Sequence, residues 1–253
     1  MQLKELVCWL DEHLKLKKYS GDYSNNGLQV EGASEVRKAV FGVDACQELF
    51  DFAAERQADF VFVHHGISWG SEPRRFDGIT ARRLRTLFTN NISLYAAHLP
   101  LDAHPELGNN AQIADLIGLQ ERVPFFEYCG LPIGFSGTLP AAAPAAVLAD
   151  FLDKKLNVFS ERYGDFEDPV KKIAVVSGGG GLDSLAECAG CGCDLLVTGE
   201  FEHVMFHPAK ELGIKVLALG HYASETTGPA AVMERVRNEL GLQVEFADIP
   251  TGL

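Results

Sequence analysis

Eight histidines occur in the chain, and those best suited to chemistry stand at the ends of apolar runs. His64 and His65 follow Phe60-Val61-Phe62-Val63, His98 follows the run 92–97, and His221 follows Val216-Leu217-Ala218-Leu219-Gly220. Asp102 comes shortly after His98, and Glu225 shortly after His221. If the runs are strands, three strands each deliver histidine at a carboxyl end, where open α/β sheets bind ligands. Imidazole combined with carboxylate suits Zn, Fe or Mn better than Ca or Mg. Neighbours on a regular strand point to opposite faces. An adjacent pair leaving a strand end can therefore hand one imidazole to each of two ions, with a carboxylate bridging them. Ions so paired lie ~3.5–4 Å apart and activate a water for hydrolysis. His221 and Glu225, at i and i+4, face one way if a helical turn begins there. Pro100 argues for a loop rather than a helix across His98 to Asp102.

The elements that must position these groups alternate in type. Strands are expected at 36–43, 59–63, 92–97, 133–139, 172–176, 194–198, 214–219 and 242–246. Helices are expected at 46–56, 79–90, 109–117, 143–156, 182–190, 206–212 and 229–240. An amphipathic helix over 1–18 carries Leu3, Leu6, Val7, Leu10 and Leu14 on one face. This rhythm predicts an α/β fold with mostly parallel pairing. It breaks at 120–132, where Pro124, Gly130 and Pro132 interleave with aromatics. The expected lobes are accordingly 1–124 together with about 221–253, and 125–220.

Composition limits the rest. The 253 residues carry a formal charge of −13, with 47% hydrophobic and 23% charged residues, so a packed core is expected rather than disorder. The pI near 5.0 argues against a dedicated nucleic-acid or anionic-membrane binder. No apolar run approaches the roughly 18–20 residues of a membrane span. The six cysteines are too dilute for a disulfide scaffold and read as reduced thiols in a cytoplasmic protein.

Several stretches together resemble one family. They are Asn25-Asn26-Gly27-Leu28-Gln29-Val30-Glu31-Gly32, Val63-His64-His65-Gly66, His98-Leu99-Pro100-Leu101-Asp102-Ala103-His104-Pro105, Gly108-Asn109-Asn110 and Gly220-His221-Tyr222-Ala223-Ser224-Glu225. The family is that of the dinuclear-metal-centre proteins known as GTP cyclohydrolase 1 type 2 homologues, in their short bacterial form. The resemblance runs end to end. It implies that His64, His65, Asp102, His221 and Glu225 bind two metal ions, one on His64 and Asp102, the other on His65 and His221, with Glu225 shared. It places His98 beside the ions. It implies two α/β lobes with the metal site at the carboxyl ends of strands between them, and a homohexameric ring. Its name points to a purine nucleotide substrate and a hydrolytic reaction, in which Glu225 holds the ions and His98 or Glu200 moves protons. The alternative is a metal-handling or regulatory scaffold without turnover.

Other features have plainer readings beside sharper ones. Ser177-Gly178-Gly179-Gly180-Gly181 precedes a helix and offers backbone N–H groups to an anion, or makes a tight turn that walls the site. Glu200, after Thr198-Gly199, is an acid/base or a carboxylate at a helix start, and the resemblance places it and His207 near the cavity; His203 reads as surface. Cys188, Cys191 and Cys193 read as a thiol-rich helix end rather than a zinc knuckle. Arg74, Arg75, Arg82, Arg83 and Arg85 form a solvated face or clamp phosphate. Trp69 stacks a base or fills a groove.

Overall fold

The computed structural model describes residues Met1–Leu253. In chain order the elements are α1 (Leu3–His13), β1 (Gly27–Val30), β2 (Lys38–Asp44), α2 (Gln47–Glu55), β3 (Phe60–His65), α3 (Gly78–Thr89), β4 (Ser93–Ala96) and α4 (Leu99–Asp102). Then come α5 (Asn109–Leu116), β5 (Gln120–Tyr128), β6 (Leu131–Pro144), α6 (Ala145–Leu156), β7 (Glu161–Tyr163), β8 (Pro169–Val176) and α7 (Gly181–Gly190). The chain closes with β9 (Leu195–Thr198), α8 (Phe206–Leu212), β10 (Lys215–Ala218), α9 (His221–Ser224), α10 (Thr227–Leu240) and β11 (Gln243–Phe246). Two compact units result. The first comprises Met1–Leu101 and Gly228–Ile249, the second Asp102–Thr227 and Pro250–Leu253.

The first unit is built on a five-stranded sheet in the order β1-β4-β3-β2-β11. β3 is central and runs parallel to both β2 and β4. A strand covered on both faces reads as a continuous apolar run, which is why Phe60-Val61-Phe62-Val63 shows no alternation; all four are buried. Each such side chain contributes about 1.5–3 kcal/mol by leaving water. β11 adds in parallel at one edge, and β1 pairs antiparallel to β4 at the other. Helix α1 buries Leu3, Leu6 and Leu10, the period expected of it, but ends at His13. Lys15 takes a left-handed conformation and a short 3₁₀ turn follows.

The second unit holds a six-stranded mixed sheet, β5-β6-β8-β9-β10-β7. β8, β9 and β10 are parallel, and the remaining pairs are antiparallel. Its core gathers Ile113, Leu148, Leu152, Ile173, Val175, Leu195, Val197 and Leu217. Residues 120–132 are not the linker expected from their turn residues. They form most of the β5–β6 hairpin, paired from Gln120–Thr138 to Tyr128–Leu131. Pro124 is tolerated because β5 is an edge strand, where a missing N–H costs no ladder bond. The division therefore falls at Leu101 rather than at 124, and residues 228–249 return to the first sheet through β11.

Candidate metal centre

In the first unit the histidines stand where the parallel strands end. His64 and His65 are the last residues of β3, and His98 follows β4. The ligating atoms of His64, His65 and His98 lie within 4.8 Å of one another, so three imidazoles converge. Each ring is held by the same nitrogen. Nδ1 of His64 meets the carbonyl oxygen of Ala97 at 2.9 Å. Nδ1 of His65 meets Asp44 Oδ1 at 2.8 Å, and Nδ1 of His98 meets Asp22 Oδ1 at 2.9 Å. An oxygen acceptor at Nδ1 requires the proton there. In the neutral ring the lone pair then sits on Nε2, the ligating atom; a carboxylate or carbonyl behind a histidine is the usual way a metal-binding imidazole is oriented.

Register supplies the carboxylate of His65. Asp44 ends β2 directly opposite His65 in the parallel pairing. The carboxylate of His98 comes from the loop before β1. Asp22 Oδ1 also accepts from Ser24 N at 3.0 Å, and Oδ2 accepts from Asn26 Nδ2 at 2.8 Å and Leu99 N at 3.0 Å. Burial alone would raise the Asp22 carboxyl, but the bonds and charge from His98, with those from Asn26 and Ser24, hold it below its ordinary value. Asn26 Oδ1 accepts the His98 backbone N–H at 2.8 Å, so one asparagine ties the loop to the histidine. Gln29 does the same for the turn after His65, its Oε1 accepting from Ile67 N at 2.8 Å and Ser68 N at 3.1 Å. A Cβ at Gly66 would lie 2.3 Å from that side chain, which explains the glycine after the histidine pair. Trp69 stands edge-on to His98 with ring centroids 5.0 Å apart, its indole N–H donating to Gly66 O.

In the second unit the donors are mostly carboxylates. Asp102 is the last residue of α4, which forms despite Pro100; His98 O accepts from Leu101 N at 2.8 Å. The expected loop is corrected here for a simple reason: in a first turn the N–H that proline lacks has no helical partner. Asp102 is 5% exposed, and its Oδ1 accepts from Asn109 Nδ2 at 2.9 Å and Ser177 Oγ at 3.2 Å. Asn110 Oδ1 accepts Ser177 N at 2.6 Å, so each residue of the asparagine pair has its own task.

The helical turn on which the shared facing of His221 and Glu225 depends is present after β10 as α9. It brings His221 Nε2 within 3.3 Å of Glu225 Oε1. His221 Nδ1 meets Glu200 Oε1 at 2.6 Å, the fourth histidine braced by an oxygen at Nδ1. Glu225 pushes the His221 pKa up to about 9; burial opposes that and Glu200 reinforces it. Glu225 itself is 4% exposed. A buried carboxylate is costly unless hydrogen bonds or a cation compensate it. The glycine-rich turn makes room for this one. Gly178 has φ +62, and a Cβ there would lie 2.3 Å from Glu225 Oε1. The turn thus acts as a wall of the carboxylate site.

Other candidates lie apart from this chemistry. His203 and His207 are exposed. Cys188 and Cys193 are buried and Cys191 exposed, all as free thiols. Arg74 and Arg75 are exposed and pair with Glu72 and Asp77. The residues that sequence reasoning missed are the oxygens behind the rings, Asp22 and Asp44. Asp44 carried a faint signal, as an acid at the end of a strand beside the histidine strand.

A family model described as Duf34/NIF3 (NGG1p interacting factor 3) matches residues 1–251. The chain belongs to this family. It is 47% identical over 253 residues to a protein of Archaeoglobus fulgidus and 43% identical over 256 residues to one of Pyrococcus abyssi. Both are named GTP cyclohydrolase 1 type 2 homolog, and both alignments cover all of each chain. Among solved structures, the protein ybgI, of unknown function, superposes with TM-score 0.92 at 39% identity over the whole of both chains. Reduced HcgD of Methanocaldococcus jannaschii gives 0.84 at 26% identity over 98% of each. Histidine and carboxylate groups of the chain could hold metal ions. No helix is long and apolar enough to cross a membrane.

Proposed function

We propose that this protein is a metal-dependent hydrolase that holds two divalent ions on His64, His65, Asp102, His221 and Glu225 and acts on a purine nucleotide. The observation that carries the reading is the shared bracing of four imidazoles. His64, His65, His98 and His221 each engage an oxygen through Nδ1, an orientation that leaves Nε2 as the ring nitrogen that would face an ion or a substrate. A histidine placed only for packing has no need of that common orientation. The donor set, imidazole nitrogen with carboxylate oxygen, fits Zn, Fe or Mn. Two such ions, when bound, supply the Lewis acidity that lowers the pKa of a water and polarises a substrate oxygen.

The chain's own residues do the rest. Asp44 and Asp22 keep His65 and His98 in one tautomer and fix the orientation of the rings. Glu225 would be the ligand shared between the two ions. Glu200 accepts the Nδ1 proton of His221 and, with His98, would pass protons to and from substrate. The names of the relatives favour a guanine nucleotide as substrate.

Elemental analysis of the purified protein tests the reading. It should find about two ions per chain, and His64→Ala should lower that count while the fold, followed by circular dichroism, persists. Full occupancy in the variant would overturn the ligand assignment. We further propose that the chain assembles as a homohexameric ring in the cytoplasm. Light scattering should then report about six chain masses, and a monomer would exclude the ring.

A further inference from the structure

The second unit contains a cavity of about 660 Å³, within the ~300–1,000 Å³ range of small-molecule sites. It is bounded by the segment after α6, the segment after β9, the start of α9 and residues of 250–253. Glu200, the carboxylate that braces His221, lies on its wall. The cavity thus adjoins the carboxylate donors of the second unit while offering chemistry of its own.

That chemistry has two components. Phe159, Phe201 and Tyr222 supply aromatic surface. Phe201 is set in place by stacking on Tyr163, with centroids 3.6 Å apart and planes 18° from parallel, and Phe159 stands fully exposed. An exposed phenylalanine beside a cavity offers a face for a flat ring to cover. The charged residues of the lining are Glu161, Glu200 and Glu202, and no lysine, arginine or histidine is among the lining residues. Ionised carboxylates only accept hydrogen bonds. A ligand suited to this lining is therefore planar, carries N–H donors on its edge, and keeps phosphate elsewhere, since like charges repel.

We propose that this cavity binds a planar, amino-substituted nitrogen heterocycle, with its ring face against the phenylalanines and its N–H edge toward Glu202 and Glu161. Assigning that heterocycle to the base of the hydrolase substrate rests on the reading under Proposed function. The binding itself rests on the cavity alone. A carboxylate that accepts from a ring N–H and an exocyclic amine together distinguishes a base bearing both from one lacking the amine by the charge-assisted hydrogen bond that the second base cannot make.

The probes are guanosine, which carries both donors and no phosphate, and inosine, which lacks the exocyclic amine. Titration calorimetry on the full chain should show saturable guanosine binding, with inosine at least ~10-fold weaker. Glu202→Gln and Phe201→Leu should each weaken guanosine about 10-fold while leaving metal content unchanged, since neither residue is a proposed ligand. Glu202 is exposed, so its variant tests the idea even if Phe201→Leu folds poorly. No guanosine binding at millimolar concentration, equal binding of inosine, or wild-type affinity in Glu202→Gln would overturn the proposal. Guanosine binding by a chain that holds no metal would leave the cavity standing and sink the hydrolase reading; two ions per chain without guanosine binding would do the reverse.

Discussion

The donors of the first unit are nitrogens, and those of the second are mostly carboxylates. Strand ends carry His64, His65 and His98, and each Nδ1 is tied to an oxygen beside it. Short helices carry Asp102, His221 and Glu225. Glu225 and Glu200 together hold a proton on His221 up to pH of about 9. A divalent ion must displace that proton to gain Nε2, because ligation requires the neutral ring. The first unit thus offers imidazole nitrogens, whereas in the second a cation would have to displace a proton from His221.

The largest effect should come from breaking the acidic side. Glu225→Gln removes the proposed bridging ligand and the main cause of the raised His221 pKa. Metal affinity, measured by chelator competition, should fall by more than ~100-fold. The His221 titration, followed by nuclear magnetic resonance in the metal-free protein, should move down from about 9 toward the ordinary value of 6.5. The sign follows from linkage. A raised histidine pKa stabilises the fold fully below about 6.5, and that contribution is lost as pH rises through 9. The variant should therefore flatten the metal-free stability profile between those limits. An unmoved His221 titration would show that the two halves do not differ in the manner described.

A smaller effect should come from the oxygens behind the nitrogen donors. Asp44→Asn should weaken metal binding by ~10–100-fold, the usual cost of losing such a brace, with little change in denaturant midpoint, since its side chain is 37% exposed. Asp22→Asn should do the same to metal and also destabilise the fold by about 1–3 kcal/mol, because buried donors lose a charged acceptor. Its carboxyl lies below the reference 3.8 in the fold, so the stability it adds is present above that pH and is lost as pH falls through the lower folded value. Acid unfolding of the variant should lack that component. Equal stability losses in the two variants would erase the distinction between a half-exposed brace and a buried one.

Much of this was legible in the chain. The apolar runs of β2, β3, β4, β8, β9 and β10 gave themselves away by composition, and the i, i+4 spacing of His221 and Glu225 anticipated α9. Other parts were hidden by local signals that tertiary context overrode. The prolines of 120–132 read as a linker, yet an edge strand accepts Pro124. Pro100 read as a loop, yet the first turn of α4 accepts it. The strands β1 and β7 are too short, at 4 and 3 residues, to show a period of their own.

The amino-acid sequence alone determined which groups could do chemistry, because residue type and hydrophobic period act over a few neighbours and need no partner. Only the tertiary structure decided how those groups are held. Asp22 lies 76 residues from His98, Asp44 lies 21 from His65, and Glu200 lies 21 from His221. Strand register and loop return bring each pair together, and neither is written in the local pattern of either partner.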